Sequence, residues 1–365
     1  MPFDTRSLPA DSPSSRGDRA RPRAVAVWLL GMAAMIWVMI ALGGATRLTG
    51  SGLSIMEWAP IMGALPPMSE AEWNRLYDLY RTIPQYELIN AGFGLEGFKR
   101  IFWLEWLHRL WGRLLGFAYL VPFLILWWRG AIPRGLMPRL ALLFVLGGAQ
   151  GAIGWFMVAS GFEADRTTVS PYRLVVHLSM AFLLFGVIVW TALGLLRPVP
   201  ERVAPAQGKV RRQVLAAFWL AVLTMLAGGF VAGIRAGFTY NTFPLMDGNL
   251  IPQGYLGEGS LLHNLTANIA AVQFNHRMLA TLTALAMIGA TLAAFRRLPR
   301  GFARGAVFAM AGAVALQYVL GVATLLLVVP PALGTLHQAV AVGVLAAGLC
   351  AWHALREPAG AAPSR

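Results

Sequence analysis

Eight stretches of this chain stay apolar for about twenty residues or more, at roughly 25–45, 101–128, 140–160, 172–196, 214–234, 268–295, 303–329 and 332–355. A run of that length crosses a hydrocarbon layer of about 30 Å as one helix. Lipid leaves backbone polar groups no other partners, and a helix satisfies its own. The expected fold is therefore an all-α polytopic membrane protein with eight transmembrane helices. Hydrophobic residues make up 57% of the chain, charged residues 13%, and mean hydropathy is +0.61. Those values exclude a soluble domain built on one large core. The first run is too long for a signal-peptide core and reads as a retained span.

Net charge is +14, but the arginines lie in short connections and not on one face, which excludes nucleic acid as a partner. Membrane lipid is the expected surroundings. Counted with the run ends beside them (Arg304 and Arg173), the N-terminal tail and the connections after runs 2, 4, 6 and 8 hold 19 of the 30 basic residues; the opposite connections hold 8, with 10 of the 16 acids. By the positive-inside rule both termini face the cytoplasm. The single cysteine, Cys350, lies in the last run, so no internal disulfide can form. In the long connection 46–100, Ser69-Glu70-Ala71-Glu72 has capping-box spacing before Trp73, Leu76, Tyr77 and Tyr80. That pattern predicts a short amphipathic helix ending before Pro84, which either covers a site or anchors at the interface.

The chain repeats itself. Gly43-Gly44 with Ser51-Gly52 matches Gly228-Gly229 with Ala236-Gly237. Glu105-x-x-His108-Arg109 matches Gln273-x-x-His276-Arg277. Gln150 and Gly154 match Gln317 and Gly321, and His177 matches His337. Four elements in one order imply two halves of four spans each. An even number of spans returns the chain to its starting side, so the expected architecture is two parallel-repeat four-helix bundles. The division expected is a cytoplasmic tail at 1–23, an N-terminal half at 24–197, a linker at 198–213, a C-terminal half at 214–355 and a second tail at 356–365.

His108, His177, His276 and His337 fall within even-numbered spans, five to nine residues from the outward end, or about 8–13 Å deep. Two imidazoles facing each other in a helical bundle suit axial ligation of a haem iron. Glycine in the odd-numbered spans leaves room for a flat ring. Zinc is disfavoured because each half offers two imidazoles and few further ligands, and a di-iron site because Glu-x-x-His occurs once. His263 and His353 read as incidental. Arg47, Arg109, Arg173, Arg235 and Arg277 stand near outer span ends, where they are candidates for haem propionates or for simple snorkelling. Glu105 shares a helix face with His108. A buried carboxyl there is a candidate proton donor or acceptor, whereas Gln273 cannot titrate.

At these residues the chain resembles the haem A synthase family. The resemblance runs over 24–355 and includes Gly43-Gly44-Ala45-Thr46-Arg47-Leu48-Thr49, Glu105-Trp106-Leu107-His108-Arg109, Tyr172-Arg173-Leu174 with His177, Tyr240-Asn241-Thr242-Phe243-Pro244, Gln273-Phe274-Asn275-His276-Arg277 and His337-Gln338. It implies an oxidoreductase of the bacterial inner membrane that converts the C8 methyl of haem O to a formyl group, giving haem A for terminal oxidases, with water as oxygen source. It further implies haem b on His276 and His337, substrate haem on His108 and His177, and Glu105 as the essential acid. The cysteine pair that some members carry in the first outer connection is missing here, as in the cysteine-free branch. Implied partners are the protohaem farnesyltransferase that makes haem O, oxidase assembly factors and an electron acceptor; a homo-oligomer stays open. The rival readings are a b-type bis-histidine electron-transfer cytochrome and a transporter.

Overall fold

The computed structural model describes residues 20–60, 62–164, 166–200 and 207–357. The expected tails and the linker fall largely or partly outside them. Eleven α-helices and no strand occur among the described residues. In chain order they are α1 (Pro22–Leu48), α2 (Glu70–Tyr80), α3 (Pro84–Leu88), α4 (Gly94–Trp128), α5 (Met137–Ala159), α6 (Pro171–Leu196), α7 (Gln207–Gly233), α8 (Leu261–Thr266), α9 (Ile269–Arg297), α10 (Phe302–Leu326) and α11 (Pro331–Ala354). All but α2, α3 and α8 are long and apolar enough to cross a bilayer, eight spans in number. Large apolar side chains stand outward on them, among them Phe117, Val145 and Trp127, as lipid-facing helices require. The chain is a multi-pass membrane protein.

The helices pack in two cyclic orders. Helix α1 contacts α4, α4 contacts α5, α5 contacts α6, and α6 returns to α1. Likewise α7 contacts α9, α9 contacts α10, α10 contacts α11, and α11 returns to α7. Across the seam between the two rings, α1 meets α11, while α6 meets both α7 and α11.

The main core is concentrated at one end of these rings. Its fully buried members include Val25 and Leu29 at the start of α1, Val210 and Val214 at the start of α7, and Ala351 and Leu355 at the end of α11. A second, smaller core lies at the opposite end. There Ser69 caps α2 by accepting a hydrogen bond from the Glu72 amide. Trp73 meets Phe102 edge-on at 4.8 Å, and Tyr80 is wholly buried against Phe98. Helix α2 docks on α4.

That docking explains one boundary. Helix α4 begins seven residues before the expected position 101 because Phe98, Ile101 and Phe102 form the floor on which α2 sits. Its 35 residues span about 52 Å at 1.5 Å per residue, so the first turns protrude beyond a bilayer's apolar depth. His108 is consequently farther from its helix start than the other three histidines. Helix α7 begins at Gln207 and takes in much of the expected linker, because Gln207, Val210 and Val214 are buried. Helix α10 stops at Leu326, three residues short of the expected 329. Val328 and Val329 are left-handed (φ 58° and 54°), and Pro330 disfavours helical geometry in the residue before it.

Candidate functional site

Each of the four span histidines lies across a glycine on a neighbouring helix. A Cβ placed on Gly43, Gly154, Gly228 or Gly321 would stand 3.1, 2.9, 3.0 or 3.0 Å from Cε1 of His108, His177, His276 or His337 respectively. The missing side chains thus make room for the imidazoles themselves, a tighter constraint than the space for a flat ring expected from sequence. Gly228→Ala should push His276 from its seat at a cost of about 1–3 kcal/mol. Thermal unfolding in detergent and the absorption spectrum are the measurements that check it.

Neighbouring polar groups orient the rings. His276 Nδ1 is 3.1 Å from the Thr224 carbonyl oxygen, a contact that only an Nδ1–H can make, which leaves Nε2 as a ligand. His177 Nδ1 is 3.2 Å from the Gln150 carboxamide, which also donates to the His177 carbonyl at 2.9 Å. In the second ring the equivalent Gln317 instead approaches the other ring nitrogen, Nε2, of His337 at 3.4 Å.

A cavity of about 260 Å³ opens in the second ring, lined by His276, His337, Gly228 and Gly321, with Arg47, Arg235 and Arg277. Buried polar atoms without a partner include Nδ1 of His337 and the Gln317 carboxamide oxygen at this cavity, and Nδ1 of His108 and the Gln150 carboxamide oxygen in the first ring. Such atoms are rare in a finished interior. Among the described residues no three of His, Cys, Asp and Glu converge. Two imidazoles per ring fit the axial positions of a haem iron and do not complete a zinc cage.

Glu105 sits beside this geometry as a latch. Its Oε2 accepts from the Ser54 amide at 2.7 Å, the Ser54 hydroxyl at 2.7 Å and the Ile55 amide at 2.9 Å. Its Oε1 accepts from Arg109 Nε and Nη2 at 3.1 and 2.6 Å. Arg109 donates onward to the Ile55 and Glu57 carbonyl oxygens. A carboxylate offers about four lone-pair sites, and five donors converge on them here.

Gln273 makes the corresponding latch with opposite polarity. Its Nε2 donates to the Ala236 and Thr239 carbonyl oxygens at 2.7 and 2.6 Å, and its Oε1 accepts from Arg277 at 2.8 Å. Arg277 then holds the Tyr240 and Thr242 carbonyl oxygens. The acid-to-amide change thus matches what each connection presents, N–H groups at 54–55 and C=O groups at 236 and 239. Sequence reading saw only that one half can titrate.

The first connection carries further ties. Gln85 donates to the Gly50 carbonyl oxygen, Tyr80 donates to Gln85, and Asn90 donates to Tyr80. Arg75 pairs with Glu57 at 2.8 Å, and its hydrogen bonds hold the Glu57 carboxyl below the ordinary carboxylate range. Arg173 bonds the Phe156 carbonyl oxygen, lies 4.0 Å from the Phe156 ring centre and approaches Glu163 at 3.6 Å. His263 pairs with exposed Glu258, and His353 packs against Trp190. Both stand apart from the four span histidines.

A family of cytochrome oxidase assembly proteins matches residues 26–349. The haem A synthase of Granulibacter bethesdensis is 58% identical over 91% of this chain and 87% of its own length. The chain belongs to the haem A synthase family. Its relatives include the haem A synthase of Rhodospirillum centenum, 50% identical over 93% of this chain and 90% of the relative. Another, from Acidiphilium cryptum, is named haem A synthase 2 and is 43% identical over 95% and 94%. For a chain of this family, the four seated imidazoles and the two latched connections are the features to which a function must be fitted.

Proposed function

We propose that this chain is a haem A synthase, an oxidoreductase that takes the C8 methyl of haem O to a formyl group. The observation that carries the reading is the pair of imidazoles in each ring, every one seated on a glycine, in a chain whose relatives are named for this activity. The two cyclic helix orders support reading the rings as halves of a parallel repeat. In that reading His108 and His177 bind substrate haem in the N-terminal half, and His276 and His337 hold haem b in the C-terminal half. Haem b supplies a one-electron carrier when bound.

The chain's own residues do the rest. The glycine seats fix where each imidazole stands, and the Thr224 carbonyl oxygen fixes which nitrogen of His276 faces the ligand. With water as the oxygen source, taking the methyl to a formyl group releases four protons and four electrons; Glu105 is the residue proposed to manage the protons, and the electrons would pass to an external electron acceptor. Its latch to Ser54 and Arg109 joins it to the first connection. The five arginines at outer span ends are the candidates for propionates, with Arg47, Arg235 and Arg277 lining the C-terminal cavity and Arg109 and Arg173 on the helices of His108 and His177. Charge asymmetry of the connections supports an inner-membrane protein with both termini cytoplasmic. Haem O would come from a protohaem farnesyltransferase, and the product would go to oxidase assembly.

Haem extraction and chromatography after co-expression with a haem O-forming enzyme tests the reading. Haem A or hydroxylated haem O is the expected pigment. Haem b alone would favour the electron-transfer cytochrome, and a colourless protein the transporter.

A further inference from the structure

Of the five arginines at outer span ends, Arg109 and Arg173 are committed to nearby carboxylates and carbonyl oxygens. Three others line the C-terminal cavity, and two of those depart from the repeat. Arg47 occupies the place of Ala232 in the second half. It crosses the seam, donating from Nη1 to the carbonyl oxygen of that same Ala232 at 2.8 Å. Arg235 occupies the place of Gly50. Gly50 has φ +71°, which glycine adopts freely, and Arg235 has φ +58° in the same left-handed region, where any Cβ is strained. A backbone position suited to glycine carries an arginine, and strain of that kind gathers at functional sites.

The two guanidinium groups line the same cavity, beside Phe238 and Gly237. Neither forms an ion pair with an acid among the described residues. Like charges at one end of an apolar cavity are relieved by an anion, and guanidinium groups bind carboxylate through charge-assisted hydrogen bonds. We propose that Arg47 and Arg235 form a carboxylate clamp at the outer end of the C-terminal cavity, one arm from each half, that grips a propionate of the porphyrin held by His276 and His337. The clamp rests on the haem reading above and adds to it that occupancy of the second ring ties the first ring to it.

The test uses the full chain, freed of haem in detergent and titrated with haem b or with haem b dimethyl ester, whose propionates carry no charge. The wild type should prefer the free acid by roughly ten- to a hundred-fold, as charge-assisted hydrogen bonds imply. Arg47→Gln and Arg235→Gly should each bring that ratio toward one and shift the midpoint potential of the C-terminal haem. Arg235→Gly should do so with unchanged or higher thermal stability of the haem-free protein, because glycine removes the strain, so it remains readable if Arg47→Gln fails to fold. Wild-type discrimination and potential in Arg235→Gly would overturn the clamp. If His276→Ala then abolishes binding in that same preparation, the haem reading survives alone; a wild type that takes up neither porphyrin ends both.

Discussion

Replacing His276 or His337 with alanine should abolish the haem b spectrum while the eight helices remain. Each imidazole is seated on a glycine and held by one polar neighbour, so truncation opens space without breaking a helix. The packing loss is on the order of 2 kcal/mol. The ligand loss would be far larger, because each imidazole would be one of only two that this ring offers to an iron. His108→Ala and His177→Ala should leave haem b in place and stop haem A formation. Reduced-minus-oxidised spectra and circular dichroism on the same preparations are the measurements. An unchanged spectrum in the His276 variant would reverse the assignment of the two halves.

Exchanging the latch residues should have effects of unequal size. Glu105→Gln turns at least one amide N–H toward a donor, from Ser54, Ile55 or Arg109, at a cost of about 1–3 kcal/mol. The variant should keep haem b and lose haem A formation. Full haem A production with retained haem would remove Glu105 from the chemistry. Gln273→Glu is the harsher change. It keeps Arg277 on one oxygen but turns the other against the Ala236 and Thr239 carbonyl oxygens, now 2.7 and 2.6 Å from the amide nitrogen, and each buried hydrogen bond so lost costs about 1–3 kcal/mol. Poor expression or a sharply lowered Tm is expected for Gln273→Glu alone. Equal stability of the two variants would show that the polarity of the connections is not what selects acid or amide.

Much of this arrangement is legible in the sequence, for reasons that also explain the rest. Hydropathy finds the spans because lipid imposes their length, and the repeat pairs His108 with His276 and His177 with His337 without coordinates. The starts of α4 and α7 elude hydropathy, since Phe98 and Gln207 are helical through tertiary packing and not through lipid. The partners of Glu105 elude it too, because backbone amides 50 residues away carry no residue-type signal. Arg47 is the instructive case. Its place in the first half suggests a role there, and only the fold carries its side chain across the seam. A signal was nevertheless present, since both cavity arginines outside the Gln273–Arg277 latch stand where the repeat has alanine or glycine.

The paired glycines of α1 and α7 carry one more consequence. The first of each pair faces a histidine of its own ring, and the second faces the other ring: Gly44 meets Gln338 of α11, which also donates to the Ile40 carbonyl oxygen, and Gly229 meets Val175 and Leu178 of α6. In a pair of identical chains related by a two-fold axis, these contacts would have to be the same, since one surface would serve both copies. Joined in a single chain, each side is free to change alone, and one has become a hydrogen bond while the other stayed aliphatic. The two sides of the seam thus differ, one polar and one aliphatic, although the paired glycines stand alike on both.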